Sequence, residues 1–428
     1  MLRTPSIQQG IYYSSSDYPR NSFSVVFLRA KEPIDPGTTK KTLSRLWKYY
    51  LSLQRETPRG SYEHGKSTHY SDLSILIGYG PKFFEIPGLK RAKPVDFSDH
   101  WLFEQPKLGA DPIIPQAELR YATDVRSNPV ADDHVIIQFI GNSQLVTHRL
   151  IVDTWKLLKD FESEGSSTQF VMRSFYTGFN RPDGRGWLGF HDGISNIKSS
   201  ERLRHILIDK KRLDPADHWT VNSTYMSFLR IAIDLEVWES IPVNIQERIV
   251  GRQKSTGCPL VKIDQDGYNA FAPGCPVPGT SSVTERGNER FRDYDFFSRP
   301  KQGRGKSGSR IVDNSHIQRM RRASVRIFRQ GFEFIEPTEA YPFFRAGLNF
   351  VSFQGSTERL YRMIKFGFGN IDAGGEITEV SPFGVRKLFS VLAAGLFYVP
   401  ALSRNEDFPG EIMFDEAGPK KPLVYYKR

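Results

Sequence analysis

The segment GFHDGISN, residues 189–196, places an aspartate between a histidine and a glycine, a grouping that could transfer protons. A phosphatase-type Asp-Gly motif would need a second aspartate two residues before Asp192. Residue 190 is Phe, so that chemistry is excluded. The competing interpretation is a plain turn, because Asp-Gly pairs are common turn chemistry. The segment alone leaves a turn and a catalytic carboxylate open.

A second candidate is His316, in the segment DNSHIQRMRR. Asn314 or Ser315 can cap a helix that starts at His316. A histidine on the first turn of a helix has the fixed direction that an axial metal ligand needs. Arg321 and Arg322 follow it and could pair with the carboxylates of a bound cofactor. A histidine that only bonds to the backbone is the alternative.

The third candidate is Arg329, in the segment RIFRQG, which the pattern predicts to be a strand. Ile327 and Arg329 would share one face of that strand. A guanidinium on a buried face needs an anionic partner. An exposed arginine on an edge strand is the competing interpretation.

The elements that must position these residues follow a repeated order. The first half predicts β-α-β followed by β-α-β, and the second half repeats this wiring. The sequence therefore predicts two α+β domains with antiparallel strands. The strands are expected at 22–30, 72–81, 134–140, 168–175, 225–234, 326–334, 347–354 and 395–400. A long stretch rich in Pro, Gly and charge, about residues 257–315, is expected to be irregular.

Composition narrows the class of protein. The chain has 428 residues, of which 39% are hydrophobic and 25% charged, as in soluble globular proteins. No apolar run is long enough for a membrane span, and the first residues lack a secretory signal. Two cysteines, Cys258 and Cys275, make a reducing compartment the default and leave a single disulfide open. A cytoplasmic protein is therefore expected.

The net charge of +11 leaves three kinds of partner open: nucleic acid, an anionic membrane or an acidic ligand. Basic residues interleaved with stacking aromatics are not evident, which speaks against RNA binding. No nucleic-acid partner and no membrane span are expected, and a homo-oligomer is left open.

Together the motifs resemble those of the dye-decolourising (DyP-type) haem peroxidases. That family has a GxxDG motif, a later proximal histidine in an SHIR-like stretch and a distal arginine in an LRRG-like stretch. The chain has GFHDG, SHIQ, RIFRQGFEF and GLNFVSFQ in the same order. SIQQGI, IGYGPKFF and the segment beginning YMSFLRIAID extend the resemblance over most of the chain.

The resemblance implies two ferredoxin-like domains with antiparallel sheets, of the dimeric α+β barrel type. Residues 1–200 would form the first domain, ending in the GxxDG loop, and residues 201–428 the second, which would mainly hold one haem b per chain. The implied site residues are the iron ligand His316, the catalytic pair Asp192 and Arg329, the haem-edge backbone at Gly193, Ile194 and Ser195, and the propionate contacts Arg321 and Arg322.

The implied activity is reduction of hydrogen peroxide through a ferryl intermediate, with oxidation of organic reductants such as dyes or phenols. Asp192 would move a proton between the peroxide oxygens, and Arg329 would stabilise the negative charge on the departing oxygen. Two alternatives are a haem-binding or carrier protein with little peroxidase activity and a nucleic-acid-binding protein. The sequence departs from the family in one place. The stretch FGVRKLFSVLAAGLFY offers Arg386 and Lys387 where an acidic partner for His316 is usual.

Overall fold

The computed structural model describes residues 7–12, 20–55, 72–98, 130, 132–163, 169–181, 183–194, 196–263, 269–271, 315–322, 325–367, 388–403 and 406–415. Its first half alternates strands rich in β-branched and aromatic residues with two long amphipathic helices. The elements are β1 (Ser22–Ala30), α1 (Pro36–Arg55), β2 (Ser74–Tyr79), α2 (Val95–Ser98), β3 (Val135–Gly141), α3 (Gln144–Ser163) and β4 (Phe170–Phe179).

The second half has shorter helices between its strands. Its elements are α4 (Ser199–Ile206), β5 (Thr224–Ile233), α5 (Leu235–Ser240), α6 (Val243–Val250), β6 (Leu260–Ile263), β7 (Asn269–Phe271), α7 (His316–Arg322), β8 (Phe328–Pro337), β9 (Phe344–Gln354), α8 (Thr357–Gly367) and β10 (Phe389–Val399). Short 3-10 helices lie at Pro81–Glu85, Lys210–Arg212, Pro215–Thr220 and Glu411–Phe414.

Eight antiparallel strands close into one barrel in the order β1-β3-β2-β10-β5-β9-β8-β4. Within it the first half has the order β4-β1-β3-β2 and the second half β10-β5-β9-β8. Both halves therefore place their fourth strand beside the first and their second strand beside the third, which is the ferredoxin-like order. The α+β prediction with antiparallel sheets is confirmed. The domain boundary after residue 200 stays a prediction.

The two halves join at two seams. Tyr398 of β10 pairs with Tyr79 of β2, and Phe179 of β4 pairs with Glu333 of β8. Inside the barrel lies an aromatic core to which both halves contribute, including Phe23, Phe27, Phe228, Phe332 and Phe397. Burial of these large side chains stabilises the closed barrel.

Helices cover the outer faces of the two halves unequally. On the outer face of the first half, α1 and α3 are 20 residues long each and pack over the sheet in a large apolar cluster. The corresponding helices of the second half, α6 and α8, have 8 and 11 residues. Among the described residues, the second half therefore has less helix over its sheet, and this is the half in which the resemblance places the haem.

The strand predictions hold, with shifts at their ends. The strand expected at 395–400 is the end of the longer β10, and the one expected at 168–175 is β4, which continues to Phe179. Within the expected irregular stretch 257–315, β6 and β7 form a small hairpin. Residues 264–268 and 272–314 of that stretch lie outside the described residues.

The expectations about membrane spans and cysteines can also be compared with the structure. None of the helices that the structure describes has the length and apolar character of a membrane span. Cys258 takes part in a disulfide bond, the case that the sequence left open. Cys275, the other cysteine of the chain, lies outside the described residues. The cytoplasmic location stays a prediction.

Candidate active site

Asp192 lies at the end of a tight loop that follows β4. The backbone N–H of Asp192 donates to the carbonyl of Gly184 at 2.9 Å, and that of Gly186 donates to the carbonyl of Phe190 at 3.0 Å. Gly193 has a φ of 76°, in the left-handed region that favours glycine. A Cβ atom on Gly193 would contact nothing within 4 Å. Glycine is therefore favoured at this position by the backbone conformation and not by lack of space. The sequence Asp-Gly therefore does form a turn, and the turn sets the position of the carboxylate.

Arg185 anchors this loop to the segment after α6. Its guanidinium donates to the carbonyls of Gly189 at 2.6 Å, Lys254 at 2.7 Å and Ser255 at 2.9 Å. It also lies 2.9 Å from Nε2 of the buried His191. Burial, and then the positive charge of Arg185, lower the pKa of His191. The contacts of His191 make it part of the loop's anchor, in line with a structural role.

Asn196 fixes the position of Arg329 relative to the loop. Its Nδ2 donates to the carbonyl of Arg329 at 2.7 Å, and its Oδ1 accepts the backbone N–H of Arg329 at 3.1 Å. The guanidinium of Arg329 then donates to the carbonyl of Ile194 at 3.0 Å. The same short segment therefore carries Asp192 and holds both the backbone and the side chain of Arg329.

Arg329 is half-buried and lies within electrostatic reach of Asp192. Burial lowers the pKa of Arg329, and the negative charge of Asp192 acts in the opposite direction. Oδ2 of Asp192 would lie 3.5 Å from a Cβ atom on Gly331. Gly331 lies two residues after Arg329 on the same face of β8, so the carboxylate extends over the strand that carries the arginine.

An apolar row crosses the sheet face beneath this pair. Gly331 on β8 pairs with Phe350 on β9, which pairs with Leu229 on β5, which in turn pairs with Ala394 on β10. Residues in register on neighbouring strands share a face, so these four form a row across the sheet. Leu229 and Ala394 belong to one small apolar cluster, against which Phe350 packs.

His316 is the first residue of α7, as the capping pattern predicts. Its two neighbours pack against the end of α6. A Cβ atom on Gly251 would lie 2.6 Å from Oγ of Ser315 and 2.7 Å from Cγ1 of Ile317. The residue after that glycine is Arg252, which is buried, and its pKa is lowered to about 9 by burial and then by the charge of Arg329. These contacts place the start of α7 beside the segment that carries Arg252.

These residue types fit a haem. A haem needs a nitrogen ligand on iron, an apolar surface for its ring and cations for its two carboxylates. The chain offers the imidazole of His316 and the row of apolar residues beneath Arg329, and the predicted cations are Arg321 and Arg322. Ser195 and the side chains of Arg321 and Arg322 lie outside the described residues. Their predicted roles stay predictions.

Sequence reasoning missed four residues of this site. Three of them are positioned by contacts with residues distant in the sequence, which no local sequence pattern predicts: Arg185, Asn196 and Arg252. Glu333 is different, because it lies on the same strand face as Arg329, four residues further on. The face rule that pairs Ile327 with Arg329 would also have included Glu333.

Comparison with known proteins supports a haem site in this chain. The fold is an α+β barrel of two ferredoxin-like halves, and the residues gathered on its second half fit a haem. The model of the Dyp-type peroxidase C-terminal family matches residues 183–404, which is more than half of the chain. The chain therefore belongs to the DyP-type peroxidase family, and the predicted family is confirmed.

Solved structures share the fold over nearly the whole chain. A DyP-type peroxidase from Streptomyces coelicolor has a TM-score of 0.64 at 19% identity, covering 97% of this chain and 96% of that one. Ferric DtpA from Streptomyces lividans has a TM-score of 0.63 at 19% identity, covering 97% and 99%. At this identity the likeness concerns the fold.

Curated relatives match a smaller part. A deferrochelatase from Escherichia coli K12 is 28% identical over 172 residues, and one from Shigella sonnei is 29% identical over 172 residues. The match covers 38% of this chain and 39% of each relative. The chain thus spans about two fifths of the length of these curated relatives.

Asn196→Asp is expected to weaken both the fold and the site. The new carboxylate would oppose the carbonyl of Arg329, which now accepts a bond at 2.7 Å. Loss of this half-buried pairing should lower the free energy of unfolding by about 1–3 kcal/mol. The reaction with peroxide should slow, because Arg329 would be displaced.

Urea unfolding and stopped-flow mixing measure the two effects of Asn196→Asp. Asn244→Asp, the same change on the exposed side of α6, is the control and should stay within about 0.5 kcal/mol of the parent. An Asn196→Asp protein with the stability and peroxide rate of the parent would show that this amide does not position Arg329.

Proposed function

We propose that this protein is a haem b peroxidase with one haem per chain. It would reduce hydrogen peroxide and oxidise an organic electron donor such as a dye or a phenol. The observation that supports this proposal is that Asp192 lies over the strand that carries Arg329, near enough for its charge to act on that guanidinium. A carboxylate and a guanidinium beside an apolar surface supply proton transfer and charge stabilisation together.

His316 would hold the iron, and Arg321 and Arg322 would pair with the haem carboxylates. When bound, the haem supplies the electrons that reduce hydrogen peroxide and recovers them from the organic donor. The backbone at Gly193, Ile194 and Ser195 would lie along the haem edge. We also propose that residues 201–428 form the domain that mainly holds the haem.

The roles of the other two side chains follow from their chemistry. Asp192 would accept a proton from one oxygen of hydrogen peroxide and return it to the other oxygen, which leaves as water. Arg329 would stabilise the negative charge that develops on the departing oxygen. The hydrogen bond from Asn196 to the backbone carbonyl of Arg329 and the one from its guanidinium to Ile194 hold this residue in place before the substrate arrives. The intermediate implied by the resemblance stays a prediction.

A visible absorption spectrum with and without hydrogen peroxide tests this function. A peroxidase should show a Soret band that shifts when peroxide is added and returns when a dye or phenol is oxidised. A band that peroxide leaves unchanged would instead support a haem carrier. Because the curated relatives are named deferrochelatases, the same sample should be checked for fluorescence of metal-free porphyrin, which would signal loss of iron.

A further inference from the structure

A second carboxyl group, that of Glu333, lies beside Asp192 and has no role in the function proposed above. Glu333 is buried on β8 at the seam with β4, opposite Phe179. It comes two residues after Gly331 and four after Arg329, so the three share one face of the strand. Because Asp192 extends over Gly331, its carboxylate lies between a guanidinium on one side and a carboxyl group on the other.

The surroundings of Glu333 favour its neutral, protonated form. Its Oε2 accepts the backbone N–H of Trp187 at 3.3 Å, the one hydrogen bond to this carboxyl group within the described part of the chain. A Cβ atom on Gly186 would lie 2.9 Å from Oε1, so the loop backbone covers the group closely. Its strand neighbours, Phe179 and Leu348, are apolar. Burial of a carboxylate with one long hydrogen bond costs much more free energy than burial of the neutral acid.

Within the described part of the chain, the charged groups that act most on Glu333 lie on the loop after β4. They are Asp192 and Asp183, which favour a proton on Glu333, and Arg181, which opposes it. Burial, followed by the negative charge of Asp192, raises the pKa of Glu333 to about 8. At neutral pH Glu333 therefore carries a proton, and it stands next to the carboxylate that must accept one.

We propose that Glu333 is a proton relay for Asp192: it holds a proton beside that carboxylate and supplies it during turnover. Solvent then protonates Glu333 again. The proposal rests on the proposed function, because hydrogen peroxide consumes two electrons and two protons when it becomes two molecules of water. A buried carboxyl group that keeps its proton beside a second carboxyl group can act as the acid of the pair.

The geometry suits transfer between the two carboxyl groups. Asp192 extends over Gly331, and Glu333 is the next residue on that face of β8, so the two carboxyl groups lie over neighbouring positions of one strand face. Glu333 would therefore act through Asp192 and not directly on the haem. The loop glycine Gly186 contributes by leaving room for the carboxyl group beneath it.

Glu333→Gln removes the proton and keeps the shape of the side chain. Glu339→Gln makes the same change at an exposed position after β8 and is the matched control. Visible absorbance per chain should show the same haem content in both variants as in the parent. Any difference in turnover would then come from the lost proton and not from lost cofactor.

The first measurement is infrared difference spectroscopy of the haem-loaded protein, which detects protonated carboxyl groups. The parent should show a carboxyl band that disappears with a midpoint near pH 8. Glu333→Gln should remove this band, and Glu339→Gln should keep it. Asp192→Asn should move the midpoint to lower pH, because the charge that favours the proton on Glu333 is gone. A midpoint that Asp192→Asn leaves in place, or a band that Glu333→Gln retains, would overturn the proposal.

The second measurement is the steady-state peroxidase rate as a function of pH. The rate of the parent should fall as the pH rises through about 8, where Glu333 loses its proton. Glu333→Gln should be slower by about tenfold or more in weak acid, and it should lack that fall. If Glu333 only supports the fold, the variant will melt at a lower temperature and keep the pH profile of the parent, which refutes the relay.

The relay and the proposed function fail in different ways. A parent protein whose Soret band does not respond to peroxide refutes the peroxidase function. The infrared titration decides independently whether the proton on Glu333 depends on Asp192.

Discussion

His316→Ala is expected to lose most of the bound haem. His316 begins α7, and the residues beside it, Ser315 and Ile317, pack against Gly251 at the end of α6. Its ring is therefore carried by a helix start that is fixed against the site. Mutation of groups that only support a metal ligand already costs about 10–100-fold in metal affinity. Removal of the ligand itself should cost at least as much.

The ratio of Soret to protein absorbance, measured after haem is added to saturation and the excess removed, reports the occupancy of His316→Ala. The control is His148→Ala, which replaces an exposed histidine on α3, on the outer face of the first half. It should keep the haem occupancy of the parent. Circular dichroism should show that both variants fold. A folded His316→Ala protein with full occupancy and an unchanged spectrum would mean that another residue holds the iron.

Much of this fold can be predicted from sequence because its signals are local. Apolar and β-branched runs mark the strands, and the 3.6-residue period marks α1 and α3. The start of α7 at His316 follows from capping residues, which act on the next few positions only. The repeated order of strands and helices then limits the topology, and the barrel shows the same strand order twice.

The contacts within the site could not be predicted in the same way. The amide of Asn196 bonds to the backbone of a residue 133 positions later, and that pairing depends on where β8 lies relative to the loop. Periodicity gives the face of a strand but not its register against a distant loop. The charge state of Glu333 depends on the same placement, because burial and Asp192 together set its pKa.

Arg329→Leu should slow the reaction with peroxide and leave haem bound. The guanidinium is the group proposed to stabilise the departing oxygen, and the negative charge of Asp192 acts on it. Removal of one such preorganised group costs about 10²–10³-fold in rate in other enzymes. Stopped-flow mixing with peroxide measures the rate constant. An unaltered value would mean that Arg329 does not reach the reacting oxygen.

Asp192→Asn should reduce the same rate constant by about 10²-fold or more, since a positioned general base contributes about 10²–10⁴-fold. The amide keeps the shape of the side chain and lacks the basicity. Its Oδ1 can still accept the N–H of Gly193, which the carboxylate accepts at 2.6 Å, so the turn should survive. Asp160→Asn, on the exposed side of α3, is the control and should react as the parent does.

The double variant of Asp192→Asn and Arg329→Leu separates two explanations of these losses. If the carboxylate and the guanidinium act as a unit on one proton transfer and one developing charge, the double variant should be little slower than the slower single variant. Independent roles would instead multiply the two losses. If Asp192→Asn alone reacts with peroxide at the rate of the parent, the GFHDG loop only shapes the pocket. The proton would then have to move through Arg329 and ordered water, and the relay from Glu333 would have no acceptor.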